Sequence, residues 1–395
     1  MNLGLIIFIV AILLVVMIHE SGHFFVAKLF NFKATKYFIG FGPTVWSIHR
    51  GETEYGVKAL PLGGFVKIVG MNPYEEIPLE DQPRSYPNKP IWQRALVIVA
   101  GSATHFVVAF LTLFVTAMTL GFPTGEPSNQ VAVVDTQVSG GESPATAAGI
   151  LPDDKVVAAN GTPTDTWDEV RGFIQQHPGE EVTFTIERDG ERRDVTAVLG
   201  SAIFGSDGEV IEYAPPGEDL VRTPPPGAEV VGFLGIQPQP LYETLGPVSA
   251  VGRAGSETWQ VTKLSFVGIG DMFGMVFGGE LFEALGGEGE RTVDEGPLGI
   301  VGAGRIASES ASTGQALDLV ALIVGFTVFV GLMNLLPLPP LDGGHLAVLA
   351  WEKITGRAVD VRKLIPVATA VISFFVIVFV AVLYLDLARP IRVPF

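Results

Sequence analysis

The sequence predicts a polytopic α-helical membrane protein with four transmembrane helices, a membrane-associated β-hairpin or sheet, and an inserted extracytoplasmic α/β domain. The chain of 395 residues has a mean hydropathy of +0.41, although its formal net charge is -17. Residues 122–316 hold 30 of the 42 acidic residues and only 10 of the 25 basic ones. An acidic, water-exposed middle part therefore separates two apolar, slightly basic ends. Because the chain has no cysteine, a metal site must use His and carboxylate ligands.

Four stretches are apolar over about the 20 residues that a bilayer-spanning helix requires. The first stretch lacks the basic leader and the small-residue cleavage site of a signal peptide, so we expect it to remain in the protein as a helix. The four predicted transmembrane helices occupy residues 1–30, 95–121, 317–338 and 365–385.

The two short loops between these helices carry many Lys and Arg residues. Residues 31–94 connect the first two helices and residues 339–364 connect the last two. Basic residues in short loops favour the cytoplasmic side of a membrane. Both loops are therefore predicted to be cytoplasmic, and both termini and the acidic middle part extracytoplasmic.

The first apolar stretch contains the segment HESGH. His19 and His23 are one helical turn apart, so both can bind a single metal ion. Glu20 lies beside them, in position to take a proton from an attacking water molecule. Chance matches to this short motif are common in soluble chains, but ionisable residues inside a membrane span are costly and functional by default. The segment therefore predicts a metal site with Glu20 as general base.

A catalytic zinc site needs a third protein ligand, and Asp342 in the segment NLLPLPPLDGGH is the candidate. The prolines before it stop the third helix, and irregular backbone at membrane depth is tolerated where it lines a polar cavity. An alternative role for Asp342 is to cap the helix that follows. Asn334 is suited to position a substrate carbonyl, or alternatively to hydrogen-bond a neighbouring helix.

Two further histidines lie in apolar surroundings. His105 belongs to the second apolar stretch, and His345 follows the third-ligand candidate by three residues. Each histidine is a candidate polar neighbour of the metal ligands. The alternative for each is a purely structural role between helices.

The first cytoplasmic loop alternates apolar and polar residues on both sides of a turn at Arg50 and Gly51. This pattern predicts a β-hairpin. A strand edge can bind an unfolded substrate segment in extended form, and Gly63 and Gly64 are candidates for the place where the substrate backbone comes close. The alternative is a hairpin that only packs on the helices.

Together, HESGH, GFGP, PLGGFVKIVG and NLLPLPPLDGGH resemble the site-2 protease family of intramembrane zinc metalloproteases, in the bacterial branch that cleaves membrane-bound anti-sigma factors. The resemblance implies one Zn²⁺ per chain, bound by His19, His23 and Asp342, with Glu20 as general base and Asn334 as a substrate-positioning residue. It also implies a multi-pass protein of the bacterial inner membrane that cleaves single-pass proteins after an upstream extracytoplasmic protease has made a first cut.

The second helix departs from this family pattern. Many relatives carry a GPxxN-type motif there, whereas this chain has GSATH, with His105 in place of the asparagine. A role of that asparagine cannot be transferred to this chain directly.

The segment SPATAAGILPDDKVVAANG resembles bacterial PDZ domains, with Asp153 in place of the usual glycine. Residues 128–240 are therefore expected to form an extracytoplasmic PDZ domain, with a Pro- and Gly-rich insertion at 202–227 and a closing strand in VVGFLGIQPQP. The resemblance implies a filter that keeps bulky substrate domains away; the alternative is a spacer without a peptide ligand. For residues 241–316 we expect an amphipathic helix on the outer membrane surface and a linker.

The sequence is also compatible with two other classes of function. A PDZ-bearing membrane receptor or scaffold would use the polar residues structurally, but it has no need of Glu20 beside His19. A divalent-metal transporter would also place His and Asp inside the membrane, but the chain shows no inverted repeat of broken helices. Nothing in the sequence predicts a nucleic acid partner.

Overall fold

The computed structural model describes most of the chain and divides it into two compact units. One unit comprises Met1–Thr119 with Leu245–Phe395, and the other comprises Leu120–Thr244. The described residues are 3–72, 74–135, 137–138, 141–204, 210–221, 224–225, 228–287, 289, 297–312, 316–357 and 359–390.

The helices are numbered in chain order. They are α1 (Leu3–Leu29), α2 (Ile91–Thr119), α3 (Pro144–Ala147), α4 (Trp167–Gln175), α5 (Pro247–Gly278), α6 (Glu280–Gly286), α7 (Ile300–Ser312), α8 (Ala316–Asn334), α9 (Asp342–Thr355) and α10 (Ile365–Ala388).

The strands form four sheets, with orders β1-β2, β4-β5, β11-β10-β12 and β13-β3-β6-β8-β9, where β7 pairs with β6. They are β1 (Ala34–Arg50), β2 (Thr53–Ile68), β3 (Phe122–Val134), β4 (Gln137–Val138), β5 (Gly141–Glu142), β6 (Lys155–Ala159), β7 (Thr162–Pro163), β8 (Glu181–Arg188), β9 (Glu191–Val198), β10 (Gly200–Phe204), β11 (Val210–Ala214), β12 (Val230–Phe233) and β13 (Ile236–Glu243).

Among the described residues, five helices are long and apolar enough to cross a membrane: α1, α2, α5, α8 and α10. Four of them coincide with the four predicted spans. The fifth, α5, extends over 32 residues in the region for which a surface helix and linker were predicted. Only Ala250, Ala254 and Ile269 of α5 are buried, so most of its surface is free of protein contacts.

Helices α1, α2 and α8 pack together with defined directions. His23 near the end of α1 contacts Val97 near the start of α2, so these two helices are antiparallel. Phe8 near the start of α1 packs against Phe326 of α8, with ring centroids 6.1 Å apart. Because α8 then leads to Asp342 beside His23, α8 is parallel to α1.

The loop between α1 and α2 folds into a bent hairpin of β1 and β2, in which residues 44–50 pair antiparallel with residues 53–58 on both sides of the turn. Residues 36–39 of β1 lie between residues 54–57 and residues 64–67 of β2. At the turn, Glu52 accepts hydrogen bonds from Lys28 at the end of α1 and from both terminal nitrogens of Arg84. The carboxylate of Glu52 therefore connects the hairpin to α1 and to the segment that leads into α2.

Helix α9 begins at Asp342 and is anchored at its other end. Arg94 on the first turn of α2 is buried and lies 2.5 Å from a carboxylate oxygen of Glu352 on α9. The ring of Tyr86 lies 5.8 Å from the Arg94 guanidinium. This ion pair holds α9 against the same helix that contacts the two histidines.

The second unit has its own apolar core, formed by α4 and the sheet that contains β3, β6, β8 and β9. Asp153 adopts a left-handed backbone conformation with φ of 72°, which explains why glycine is usual at this position. Beside it, the fully buried carboxylate of Asp154 pairs with Arg188 at 2.6 Å.

Residues of β10 and β11 lie within the predicted insertion at 202–227, where the two strands pair and extend a three-stranded sheet with β12. One expectation for this unit is corrected. The predicted single closing strand is two strands, β12 and β13, which belong to different sheets. Gly235 between them has φ of 85°, and this left-handed turn redirects the chain from one sheet to the other.

Candidate metal centre

His23 is buried and its ring is oriented by the backbone of α2. Its Nδ1 lies 2.8 Å from the carbonyl oxygen of Val97. Since a carbonyl oxygen only accepts hydrogen bonds, Nδ1 carries the proton and donates it. In the neutral imidazole, Nε2 of His23 is then left with a free lone pair, which is the state that a metal ligand requires.

His19, one turn earlier on α1, has a side chain as its partner. Its Nδ1 lies 3.0 Å from Nε2 of His105 on α2. On the other edge of the ring, its Nε2 lies 3.1 Å from Nε2 of His23. Both imidazoles on α1 therefore direct their Nε2 atoms toward the same position.

Asp342 completes the group from the start of α9. Its Oδ2 lies 3.3 Å from Nε2 of His19 and 3.3 Å from Nε2 of His23. This oxygen is buried and meets no hydrogen-bond donor in good geometry among the described residues. Leu341, and not Asp342, is the N-cap residue of α9, so the alternative of Asp342 as a helix cap is wrong.

The geometry of this group fits a zinc ion. A tetrahedral zinc ion with bonds of about 2.0–2.1 Å separates neighbouring ligand atoms by about 3.3 Å. The three ligand atoms of His19, His23 and Asp342 are 3.1, 3.3 and 3.3 Å apart. With a deprotonated Nε2 and a carboxylate oxygen facing each other, the group needs a cation at its centre. Among the described residues, these three form the metal-binding group.

Gly101 on α2 allows the two histidines to lie this close to α2. A Cβ atom at this position would lie 2.3 Å from Nε2 of His23 and 2.9 Å from Cε1 of His19. Val97, Gly101 and His105 follow one another at intervals of one turn on α2. This face of α2 therefore provides a hydrogen-bond partner for each histidine and an open position between the two partners.

Glu20 lies next to the metal-binding group and contacts the hairpin. It is close enough to interact electrostatically with His19, His23 and Asp342. Its Oε2 accepts a hydrogen bond of 3.1 Å from the backbone N–H of Val66 on β2. Oε1 of Glu20 accepts no hydrogen bond from the described residues, so it is available to take a proton.

The other predicted site residues lie around this centre. Gly64 on β2 is so close to α1 that a Cβ there would lie 3.4 Å from Cγ of Glu20, and Gly63 lies against the ring of Phe41. Asn334 is the half-buried last residue of α8. His345 is close enough to Asp342 and His23 to interact with them electrostatically, and it lines an apolar cavity of about 220 Å³ with residues that include Tyr74 and Pro340.

Sequence reasoning missed the backbone groups of the site. The carbonyl oxygen of Val97 and the N–H of Val66 carry no side-chain signal, because any residue supplies the same atoms. The small residues before His105 did indicate close helix packing, but not that Gly101 faces the histidines. A glycine one turn before a buried histidine was the available signal.

Long apolar helices hold two histidine ligands, a carboxylate as the third ligand and a neighbouring glutamate. This combination defines a membrane metalloprotease. The family model of peptidase family M50 matches residues 7–379. The zinc metalloprotease Rip1 of Mycobacterium tuberculosis is 32% identical over 415 residues, which cover 98% of each chain. Rip1 of Mycolicibacterium smegmatis is 32% identical over 383 residues, covering 92% of this chain and 89% of that protein.

The chain belongs to peptidase family M50, the site-2 proteases. It is a zinc metalloprotease of the site-2 type and a membrane protein, as the motifs HESGH and NLLPLPPLDGGH predict. The alternatives of a receptor or scaffold and of a metal transporter are thereby set aside.

Proposed function

We propose that this protein cleaves the transmembrane segments of single-pass membrane proteins, with one zinc ion bound by His19, His23 and Asp342. The observation that carries the proposal is the convergence of the three ligand atoms within 3.1–3.3 Å, beside Glu20 and between packed apolar helices. Anti-sigma factors already shortened by an extracytoplasmic protease are the proposed substrates. The family resemblance of the sequence motifs supports this choice.

The residues around the centre have separate roles in the proposed reaction. Zinc in this site supplies Lewis-acid polarisation of the peptide carbonyl and lowers the pKa of water that it binds. Glu20 takes a proton from the attacking water at its free carboxylate oxygen and later gives it to the leaving amine. The N–H of Val66 holds the other oxygen, so the carboxylate keeps one orientation. To Asn334 we assign the donation of its amide N–H to the substrate carbonyl, a role that the family resemblance supports.

The hairpin is the proposed binding element for the substrate backbone. A transmembrane helix protects its peptide bonds by internal hydrogen bonding, so it must unwind before cleavage. β2 passes Glu20 at Gly64 and Val66, which brings a strand within hydrogen-bonding reach of the catalytic centre. A substrate segment that adds to the sheet edge would be held extended next to Glu20.

The packing of the helices supports four membrane crossings. Leu245, just before α5, donates its N–H to the carbonyl of Ala117 at the end of α2. Since α2 is antiparallel to α8, the end of α2 and the start of α8 lie on the same side. The chain segment between Leu245 and Ala316 therefore begins and ends on the same side of the membrane. If α5 crossed the membrane, another part of this segment would have to cross back.

Helix α7 is too short for that second crossing. Its 13 residues reach about 20 Å, against a bilayer core of about 30 Å. Ala303 and Ala307 of α7 also pack on Phe8, at the starting end of α1. We therefore propose that α5 does not cross the membrane and that both basic loops are cytoplasmic, with the termini and residues 120–244 extracytoplasmic.

For residues 128–240 we propose a PDZ domain that excludes bulky substrate domains. The order of β3, α3, β6, α4, β8 and β9 along the chain agrees with the order expected from the sequence, and β13 borders β3 in the same sheet. Such a sheet edge binds extended peptide segments.

One assay tests the proposed function. The purified full-length protein with zinc is incubated with a single-pass substrate that has either an intact or a shortened extracytoplasmic domain. We expect cleavage of the shortened substrate, much slower cleavage of the intact one, and loss of cleavage by about 10²-fold or more in Glu20→Gln. Zinc content should stay equal in wild type and Glu20→Gln. Glu80→Gln, an exposed carboxylate in the same loop region as the hairpin, is the matched control.

Three results would contradict the proposal in different ways. Full activity of Glu20→Gln would exclude Glu20 as the base. Equal cleavage of both substrates would exclude the filter role of the extracytoplasmic domain. Zinc uptake into vesicles without proteolysis would favour a transporter.

A further inference from the structure

His105 is the polar side chain of the centre that the proposed reaction does not use. It is 1% exposed, lies in the middle of α2, and its Nε2 is 3.0 Å from Nδ1 of His19. A buried imidazole is costly unless its nitrogens have partners. On α8, the backbone of Thr327 lies near the same ring.

The protonation pattern of these two imidazoles follows from their neighbours. Nε2 of His19 faces His23 and Asp342, and as a metal ligand it carries no proton. The proton of the neutral ring is then on Nδ1, which donates the 3.0 Å hydrogen bond to Nε2 of His105.

The packing around His105 holds its ring in place. A Cβ atom at Gly331 of α8 would lie 2.8 Å from Cβ of His105, so α8 approaches α2 closely at this level. The ring therefore lies between α1, which provides His19, and α8.

We propose that His105 is a positioning residue, which accepts the Nδ1–H of His19 and thereby directs the Nε2 lone pair of His19 to the metal-binding group. The inference deepens the proposed function and rests on it for the identity of the metal. It makes the two ligand histidines equivalent, because the carbonyl of Val97 does for His23 what the imidazole of His105 does for His19. Partners of this kind fix the orientation of a ligand and raise its basicity, and their loss typically costs 10- to 100-fold in metal affinity.

A matched pair of variants tests the role of the acceptor atom. Gln places its Oε1 near the position of Nε2 of His and can accept the same hydrogen bond, whereas Met has a similar length and shape but is only a weak acceptor. We expect His105→Gln to bind zinc within about 3-fold of wild type and His105→Met to bind it about 10- to 100-fold more weakly. Zinc affinity is measured by competition with a chromogenic chelator, independently of proteolysis.

Two controls separate this role from a structural one. Thr116→Val alters another buried polar side chain of α2 and should leave zinc affinity unchanged. Thermal unfolding of the metal-free variants shows whether Gln and Met differ in stability before zinc is added. If His105 only fills space, Met should bind zinc as tightly as wild type, or Gln and Met should be weakened equally; either result overturns the proposal.

A measurement on the wild type covers the case in which His105→Met does not fold. In zinc-loaded protein with ¹⁵N-labelled histidine, Nδ1 of His19 should show a bound proton and a coupling to Nε2 of His105. Absence of a proton on Nδ1 of His19 would refute the proposal. The proposed function fails independently, if wild-type protein binds zinc in the predicted way but cleaves no transmembrane substrate.

Discussion

The backbone N–H of Val66 on β2 donates a hydrogen bond of 3.1 Å to Oε2 of Glu20 on α1. This bond joins the proposed substrate-binding hairpin to the proposed general base. The carboxylate therefore takes its orientation from the strand, and a displacement of β2 displaces the base with it.

Substitution Gly64→Ala should displace the base Glu20 and leave metal binding unchanged. The new Cβ would lie 3.0 Å from the carbonyl oxygen of Phe38 and 3.4 Å from Cγ of Glu20, so β2 must shift against β1 or Glu20 must move. Misplacement of a catalytic group by about 1 Å can cost 10²-fold in rate, and we expect a loss of about 10- to 100-fold with unchanged zinc content. Cleavage of a shortened substrate and metal analysis test this.

The control for this variant is Gly252→Ala on α5, where a Cβ meets no atom within 4 Å. It should cleave at the wild-type rate. Wild-type cleavage by Gly64→Ala, or a parallel loss of zinc, would show that the hairpin does not act through Glu20.

Substitution Gly101→Ala should abolish zinc binding. Its Cβ would lie 2.3 Å from the ligand atom Nε2 of His23, and the helix backbone cannot yield without separating α1 from α2. Overpacking of this kind typically costs about 1–3 kcal/mol of stability. Metal analysis and thermal unfolding measure both effects. Gly268→Ala, at an open position of α5, is the control, and retention of stoichiometric zinc by Gly101→Ala would contradict the described helix contact.

Substitution Asp342→Asn should remove the stabilisation by zinc without harming the metal-free fold. The carboxylate is 14% exposed and its Oδ2 is without a good donor among the described residues, so loss of its charge relieves an unpaired buried group. Zinc at 100 times its dissociation constant stabilises a protein by about 2.7 kcal/mol. We expect the zinc-dependent rise in unfolding temperature in wild type only. A rise of equal size in Asp342→Asn would exclude Asp342 as a ligand.

The attachment of the hairpin turn should depend on pH. Hydrogen bonds from Arg84, joined by Lys28, lower the pKa of Glu52 from 4.5 to about 2. Because the pKa in the folded state is lowered, the stabilisation by Glu52 is complete above about pH 4.5 and is lost as the pH falls toward 2. The side chains are partly exposed, so solvent screening keeps the effect small.

Unfolding temperatures of wild type and Glu52→Gln measured from pH 7 to pH 2 test this prediction. The wild type should be the more stable protein at pH 7, and the difference should shrink between pH 4.5 and 2. A difference that stays constant over this range would show that the charge of Glu52 does not contribute. Glu76→Gln, outside this network of ion pairs, serves as the control.

The candidate metal ligands and the candidate base can be predicted from the sequence alone. The spacing of His19 and His23 on one helix follows from the 3.6-residue period, and charged or polar groups within apolar stretches are retained only where they act or are paired. The same local rules predict the hairpin turn at Arg50 and Gly51. These inferences depend on residues close together in the chain, where helix and strand geometry act directly.

The geometry that brings distant groups together comes from the helix packing. Asp342 lies more than 300 residues after His23, and the contact exists because α8 is parallel to α1 and ends beside it. The same packing distinguishes His105, which contacts a ligand histidine, from His345, which lines a cavity with Tyr74 and Pro340. Their local sequences do not differ in any way that predicts this, because the distance between two helices is set by small residues such as Gly101 and by the direction of the chain between them.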